Sequence, residues 1–209
     1  MRPTGEGGVA RHISDRRKQP CDGRSNVNRR SFLTLAAVFP AAVHAADRDT
    51  AHSFVFESID GGDIRLADFA GRPIMVVNTA SRCGFTHQYS GLQALHDRFR
   101  DRGFAVLAVP SDDFGGQELA TEAEVKRFCA VNFDLDLPMT AITRVRGPGR
   151  HPFYGWAEQA LGPGNAPRWN FHKYLVGPDG RVAAAFGSDV DPMSAPIVAA
   201  VEKLLGPSS

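Results

Sequence analysis

A chain of 209 residues with 24 Lys/Arg, 23 Asp/Glu and a formal charge of +1 offers no electrostatic case for binding nucleic acid. The near balance conceals two unlike parts: residues 1–45 carry eight Lys/Arg against three Asp/Glu, and the remaining sixteen and twenty leave residues 46–209 acidic. Three cysteines, Cys21, Cys83 and Cys129, are too few and too scattered for a disulfide framework or a cysteine zinc site, and a body of about 160 residues buries enough surface to need neither.

Residues 1–27 are polar, Gly-rich and without periodicity, which reads as disorder or as sequence upstream of the true start; Cys21 takes no role. Residues 28–45, "NRRSFLTLAAVFPAAVHA", place Arg29 and Arg30 before an apolar stretch from Phe32 to Val43 and end on Val43-His44-Ala45, small residues at the positions a signal peptidase reads. About twelve apolar residues are too few to cross a bilayer, which takes roughly twenty. The order of charge, apolar stretch and cleavage site resembles a twin-arginine export signal. The expectation is cleavage after Ala45 and an exported, periplasmic protein without stable membrane insertion, or a cytoplasmic one if the leader does not function.

The body, residues 46–209, reads as one domain. "SFVFESIDGGDIRL", Ser53 to Leu66, predicts a hairpin around Gly61-Gly62. "PIMVVNTA", Pro73 to Ala80, is a continuous apolar strand of the kind covered on both faces. Tyr89, Leu92, Leu95 and Phe99 then recur at helical spacing until Gly103, and "FAVLAVP", Phe104 to Pro110, supplies a second buried strand, completing a parallel βαβ unit. Thr121 and Glu124 form a capping box that opens a helix over Thr121–Asn132. A short helix is predicted over Phe153–Leu161, strands over Phe171–Val176 and Arg181–Phe186 around a Gly177–Gly180 turn, and a last helix over Pro192–Leu205. A parallel unit followed by an antiparallel hairpin and a helix predicts a central mixed sheet flanked by helices, which fits a thioredoxin-like α/β fold with an N-terminal β-hairpin.

Cys83 falls after the carboxyl end of a strand and before a helix, the edge at which sites form in open α/β sheets. A helix N-terminus favours thiolate over thiol, and thiolate is the nucleophile. The opposing reading, a small apolar residue filling a gap, is not excluded by placement alone. Disulfide-exchange enzymes use Cys-x-x-Cys, but here the slot reads Cys83-Gly84-Phe85-Thr86. Threonine cannot close a disulfide, so either the chemistry ends on a small leaving molecule or the second thiol comes from elsewhere. A peroxide suits the first case, leaving a sulfenic acid on sulfur.

Three blocks carry a resemblance: "NTASRCGFTHQYSGLQAL" at 78–95, "FGGQE" at 114–118 and "WNFHKYLVGPDG" at 169–180. In order and spacing they resemble the signature blocks of the glutathione peroxidase family, over essentially all of residues 52–206. The resemblance implies a thiol peroxidase acting on hydrogen peroxide and organic hydroperoxides, without cofactor or metal, with Cys83 as the peroxide-reactive residue and Gln117, Trp169 and Asn170 completing the site. These types make chemical sense, since an amide or an indole can donate to a thiolate or a departing oxygen without adding charge. The sequence departs from the family at Ser111-Asp112-Asp113, where Cys-Asn-Gln is common, and at His87, where proline is usual. His87 and His172 could each raise the thiolate fraction near neutral pH, but solvated surface histidines are the favoured reading of both.

The thioredoxin-dependent branch of the family places a resolving cysteine on the helix that here holds Cys129, which implies a Cys83–Cys129 disulfide reduced by a thioredoxin-like protein. Val125, Phe128 and Cys129 share a helical face, so a core role for Cys129 stays open, as does direct reduction by glutathione. The "RVRGPGR" region between Ile142 and His151 lacks the long insertion of the family's tetrameric, glutathione-using members, so the resemblance implies a monomer and a protein reductant. Two rivals share the fold: an exported thiol-disulfide oxidoreductase, against which Thr86 argues, and a copper-binding or chaperone protein using Cys83 and His87.

Overall fold

The central strand owes its position to a run without polar interruption. Ile74–Thr79 (β3) is buried at every residue, and so is its neighbour Ala105–Pro110 (β4), as expected of strands covered on both faces. The computed structural model describes residues 50–207; the expectations for the leader and Cys21 fall outside the described residues. In chain order these strands are preceded by Val55–Glu57 (β1) and Asp63–Arg65 (β2), a separate antiparallel hairpin. Four α-helices, Gln88–Phe99 (α1), Glu122–Phe133 (α2), Pro152–Leu161 (α3) and Ala195–Leu205 (α4), and two strands, Lys173–Val176 (β5) and Val182–Phe186 (β6), complete the α-helices and strands among the described residues. The main sheet runs β4-β3-β5-β6; β3 and β4 are parallel, with Val76 opposite Leu107, and β5 and β6 are antiparallel additions. This is the mixed α/β sheet of a thioredoxin-like fold, as the order of elements predicted.

Alternation along β3 divides the core in two. Met75 and Val77 face Leu92, Leu95 and Phe99 of α1, Val125 and Cys129 of α2, and Ile197 and Val201 of α4. Ile74 and Val76 face Phe153, Tyr154 and Ala157 of α3 together with Phe56 of the hairpin. The α2 boundary follows its cap: Thr121 Oγ1 accepts from the Glu124 N–H at 3.3 Å while Glu124 Oε2 accepts from the Thr121 N–H at 3.1 Å, two otherwise orphaned donors satisfied at once.

The starts of the last helix and of the fifth strand differ from expectation by more than one residue. The last helix starts at Ala195, not Pro192, because Asp191 turns the chain first: its Oδ1 accepts from the Met193 N–H and its carbonyl from the Ser194 N–H, a side-chain turn that competes with helix. The fifth strand starts at Lys173, not Phe171. Phe171 has φ 65°, the left-handed region that a bulky residue avoids, and is held there by its N–H donating to the Asn78 carbonyl at 2.5 Å.

Candidate active site

Cys83 sits in the turn between β3 and α1, and the helix begins at Gln88, five residues later than the thiol. The nearest backbone donor to the sulfur is therefore local: the Phe85 N–H reaches Sγ at 3.4 Å. The side chain is buried, with 8% of the residue exposed. Thr86 proves to be the staple of this loop. Its Oγ1 accepts from the Cys83 N–H at 2.9 Å and donates to the Ala80 carbonyl at 3.0 Å, while its own N–H returns to the Cys83 carbonyl. Sequence reasoning saw at position 86 only the thiol that was missing.

Two further loops close on the first. The Arg82 N–H donates to the Gln117 carbonyl at 2.8 Å, which places Gln117 beside the residue preceding Cys83. The Gln117 side-chain oxygen accepts from Asn170 Nδ2 at 3.1 Å, so its own NH2 group keeps both donors uncommitted. Asn170 is fully buried and also reaches the Phe114 carbonyl at 3.5 Å. Trp169 is 39% exposed and leans on the Phe114 ring, 5.9 Å between centroids; its carbonyl accepts from Asn78 Nδ2 at 3.0 Å, at the end of β3. A positive φ of 75° at Gly115 lets the chain turn tightly beneath Gln117 and Trp169. The structure thus ties Gln117, Trp169 and Asn170 into one network with the Cys83 loop. Among the described residues no group of three or more His, Cys, Asp or Glu comes together to hold a metal.

The two histidines part company. His87 is exposed, with Nδ1 3.1 Å from the Gly84 carbonyl. His172 is not the solvated histidine expected. It is 7% exposed and packed edge-on against Tyr174, and burial, with the adjacent Lys173 charge, lowers its pKa to about 4. It is neutral at neutral pH and lends no positive charge to a thiolate. His172 directly precedes β5, a strand buried at every residue, and is buried with it. Asp112 and Asp113 are anchors of the loops: Asp112 Oδ1 accepts from the Glu118 N–H, and Asp113 Oδ2 from the N–H groups of Val145 and Arg146.

Cys129 is 1% exposed on the inner face of α2, and burial pushes its thiol up to about 11. Both it and Cys83 are free thiols on the same core. A cleft of about 370 Å³ runs alongside, lined by Ile59, Cys129, Leu137 and Met139, and bridged by an ion pair between Lys126 and Asp60. Tyr89 is buried on the helical face the sequence assigned it, but sequence reasoning missed Glu118, a buried carboxyl in a quoted motif whose neighbours do not signal that it points inward.

A thiol at the carboxyl edge of the sheet, with the Gln117 backbone bonded to the residue before it, is a candidate thiol site on a thioredoxin-like fold. Residues 51–158 match the family described as glutathione peroxidase. Hydroperoxy fatty acid reductase gpx1 of Synechocystis sp. is 41% identical over 169 residues, covering 77% of this chain and 99% of that one. Thioredoxin/glutathione peroxidase BtuE of Escherichia coli K12 is 35% identical, covering 69% and 91% respectively. Among solved structures, GPX1 of T. cruzi superposes with a TM-score of 0.58 at 28% identity, covering 75% of this chain and 94% of that one. The chain belongs to the glutathione peroxidase family. It is a thiol peroxidase, an oxidoreductase that reduces hydroperoxides.

Proposed function

We propose that this protein reduces hydroperoxides through Cys83 and recovers through Cys129. The observation that carries the reading is the hydrogen bonding of two loops to each other, to the residue before Cys83 and to the end of β3: Arg82 to Gln117, Asn170 to Gln117, and Asn78 to Trp169. In the first step the Cys83 thiolate attacks one peroxide oxygen and the O–O bond breaks. The departing oxygen takes a proton and leaves as water or an alcohol, and the sulfur is left as a sulfenic acid. The free Gln117 NH2 and the Trp169 indole are the donors for that oxygen, and Asn170 fixes the orientation of Gln117. The name of the Synechocystis relative supports fatty acid hydroperoxides among the substrates.

In the second step Cys129 displaces hydroxide from the sulfenic acid, and a thioredoxin-like dithiol reopens the disulfide. The name of the Escherichia coli relative supports both a thioredoxin and glutathione as electron donors. A disulfide holds its Cα atoms within about 7 Å, and Cys129 is enclosed by α2, so the helix loosens around it. The depth of that burial favours one second reading, in which Cys129 stays in the core and glutathione resolves Cys83 directly. One equivalent of peroxide on the reduced protein separates them: peptide mapping by mass spectrometry is expected to find an intramolecular Cys83–Cys129 disulfide. A sulfenic acid at Cys83 beside an intact Cys129 thiol would favour the second reading.

The proposal extends to a monomeric, exported enzyme whose leader is removed after Ala45. N-terminal sequencing of protein from its native host is expected to begin at Ala46; a cytoplasmic protein retaining residues 1–45 would overturn the export reading.

A further inference from the structure

At the start of β5 a lysine occupies a position inside the core. Lys173 lies opposite Val77 of β3 and Phe186 of β6 and is 0% exposed. A buried ammonium is costly unless it is well hydrogen-bonded. Its acceptors are backbone carbonyls rather than carboxylates: Nζ donates to the Phe171 carbonyl at 2.7 Å and to the Gly187 carbonyl at 3.4 Å. Burial pulls its pKa down to about 8, against Asp191 and Asp189, which raise it, so the group is chiefly the ammonium at neutral pH. The peroxide step itself makes no use of this charge.

What the ammonium grips is the end of the candidate site. Phe171 directly follows Asn170 and holds φ 65°, a conformation that a bulky residue keeps only where its surroundings impose it. Asn78 imposes part of it: its Nδ2 donates to the Trp169 carbonyl at 3.0 Å, and its own carbonyl accepts from the Phe171 N–H at 2.5 Å. Lys173 takes the Phe171 carbonyl. The second acceptor extends the grip toward the thiol. Gly187 adjoins Ser188, whose carbonyl accepts from Gln88 Nε2 at 2.6 Å. Gln88 is the buried first residue of α1, the helix into which the Cys83 loop leads. The Gly187–Ser188 backbone is thus held by Lys173 from the Trp169–Phe171 turn and by Gln88 from the Cys83 loop. An ammonium suits this work, since its three N–H donors can bridge carbonyls that converge from separate segments.

We propose that Lys173 is a positioning residue for the peroxide step: its ammonium locks the left-handed Phe171, and through it the placement of the Trp169 indole and of the Asn170 amide that orients Gln117. The inference rests on the reading in which Gln117 and Trp169 are the donors for the departing oxygen. Lys173 touches no reacting atom and acts through the turn alone.

The test times sulfenic acid formation by stopped flow after reduced protein meets hydrogen peroxide. Lys173→Met fills the same space without a donor. It is expected to slow this step about tenfold or more, as a loss of orientation does, while reduction of the oxidised protein keeps its wild-type rate. A residue that serves only the fold slows the step by the same factor in any background, whereas one acting through the turn does not. Gln117→Ala/Trp169→Phe has already lost both donors, and there Lys173→Met is expected to change the rate by no more than about twofold. Lys173→Gln keeps an amide donor for the Phe171 carbonyl and is expected to lose less, with the same collapse of the effect in the donor-free background. It carries the test if the Met variant does not fold; failure of both to fold makes Lys173 a residue of the fold and overturns the inference. Wild-type sulfenic acid formation in Lys173→Met, beside a slowed Gln117→Ala/Trp169→Phe protein, overturns the inference alone, as does a loss carried undiminished into the donor-free background. A Gln117→Ala/Trp169→Phe protein with the wild-type peroxide step overturns the reading of those donors, and this inference with it.

Discussion

Replacing Cys83 by serine is expected to reduce hydroperoxide turnover to background, a loss of roughly 10⁴-fold or more on the scale that follows removal of a covalent nucleophile. The reason is chemical rather than geometric. A serine hydroxyl fits the site and accepts from the Phe85 N–H as sulfur does, but its oxygen cannot take up a second oxygen and yield it to a thiol. The fold should survive, because the loop is held by Thr86 and by the Arg82–Gln117 bond rather than by the thiol. The cost in stability should be about 1 kcal/mol, read as a small shift in thermal midpoint beside a complete loss of peroxide consumption. Wild-type turnover in the serine variant would make Cys83 structural and sink the assignment of the nucleophile.

The second large effect belongs to Cys129. In Cys129→Ser the first equivalent of peroxide should be consumed at the wild-type rate, because the residue lies on α2, apart from the hydrogen-bonded loops that enclose Cys83. Thioredoxin-supported cycling should then fall about tenfold or more, and Cys83 should accumulate as the sulfinic acid, since a sulfenic acid that waits meets a second peroxide. A buried hydroxyl in place of the thiol costs on the order of 1–3 kcal/mol if it stays unpaired. Cys129→Ala should therefore behave identically in the assay while unfolding differently, which separates the loss of the thiol from damage to the helix. Normal cycling with thioredoxin in both variants would leave Cys129 a core residue, and cycling restored by glutathione alone would put a one-cysteine route in its place.

Much of the architecture was legible in the chain because its signals are local. Continuous apolar runs marked β3 and β4, the Thr121–Glu124 box marked the start of α2, and Gly61-Gly62 marked the hairpin. The misplaced boundaries, at Phe171 and Pro192, lie where a tertiary hydrogen bond or a side-chain turn overrides propensity, and neither leaves a periodic trace. The candidate site could be read only as a set of residue types in three blocks, without its wiring. That Asn170 restrains Gln117, that His172 is buried and neutral, and that Glu118 turns inward to accept from the Ser81 N–H all depend on contacts between segments tens of residues apart. An Asp, Glu or His reads as solvated from sequence because most are; the exceptions are made by neighbours that composition does not name.

The loop at Thr86 bears on how one scaffold divides its chemistry between two trades. A thiol-exchange enzyme needs sulfur three residues beyond its nucleophile, and here that residue is the hydroxyl that clamps the Cys83 and Ala80 backbones together. The two demands compete for a single side chain. A cysteine at that place would offer a partner thiol and in the same stroke dismantle the clamp, since a thiol is a poor substitute in a short hydroxyl bridge. A change between the two kinds of chemistry would thus require the loop to be rebuilt around the substituted side chain.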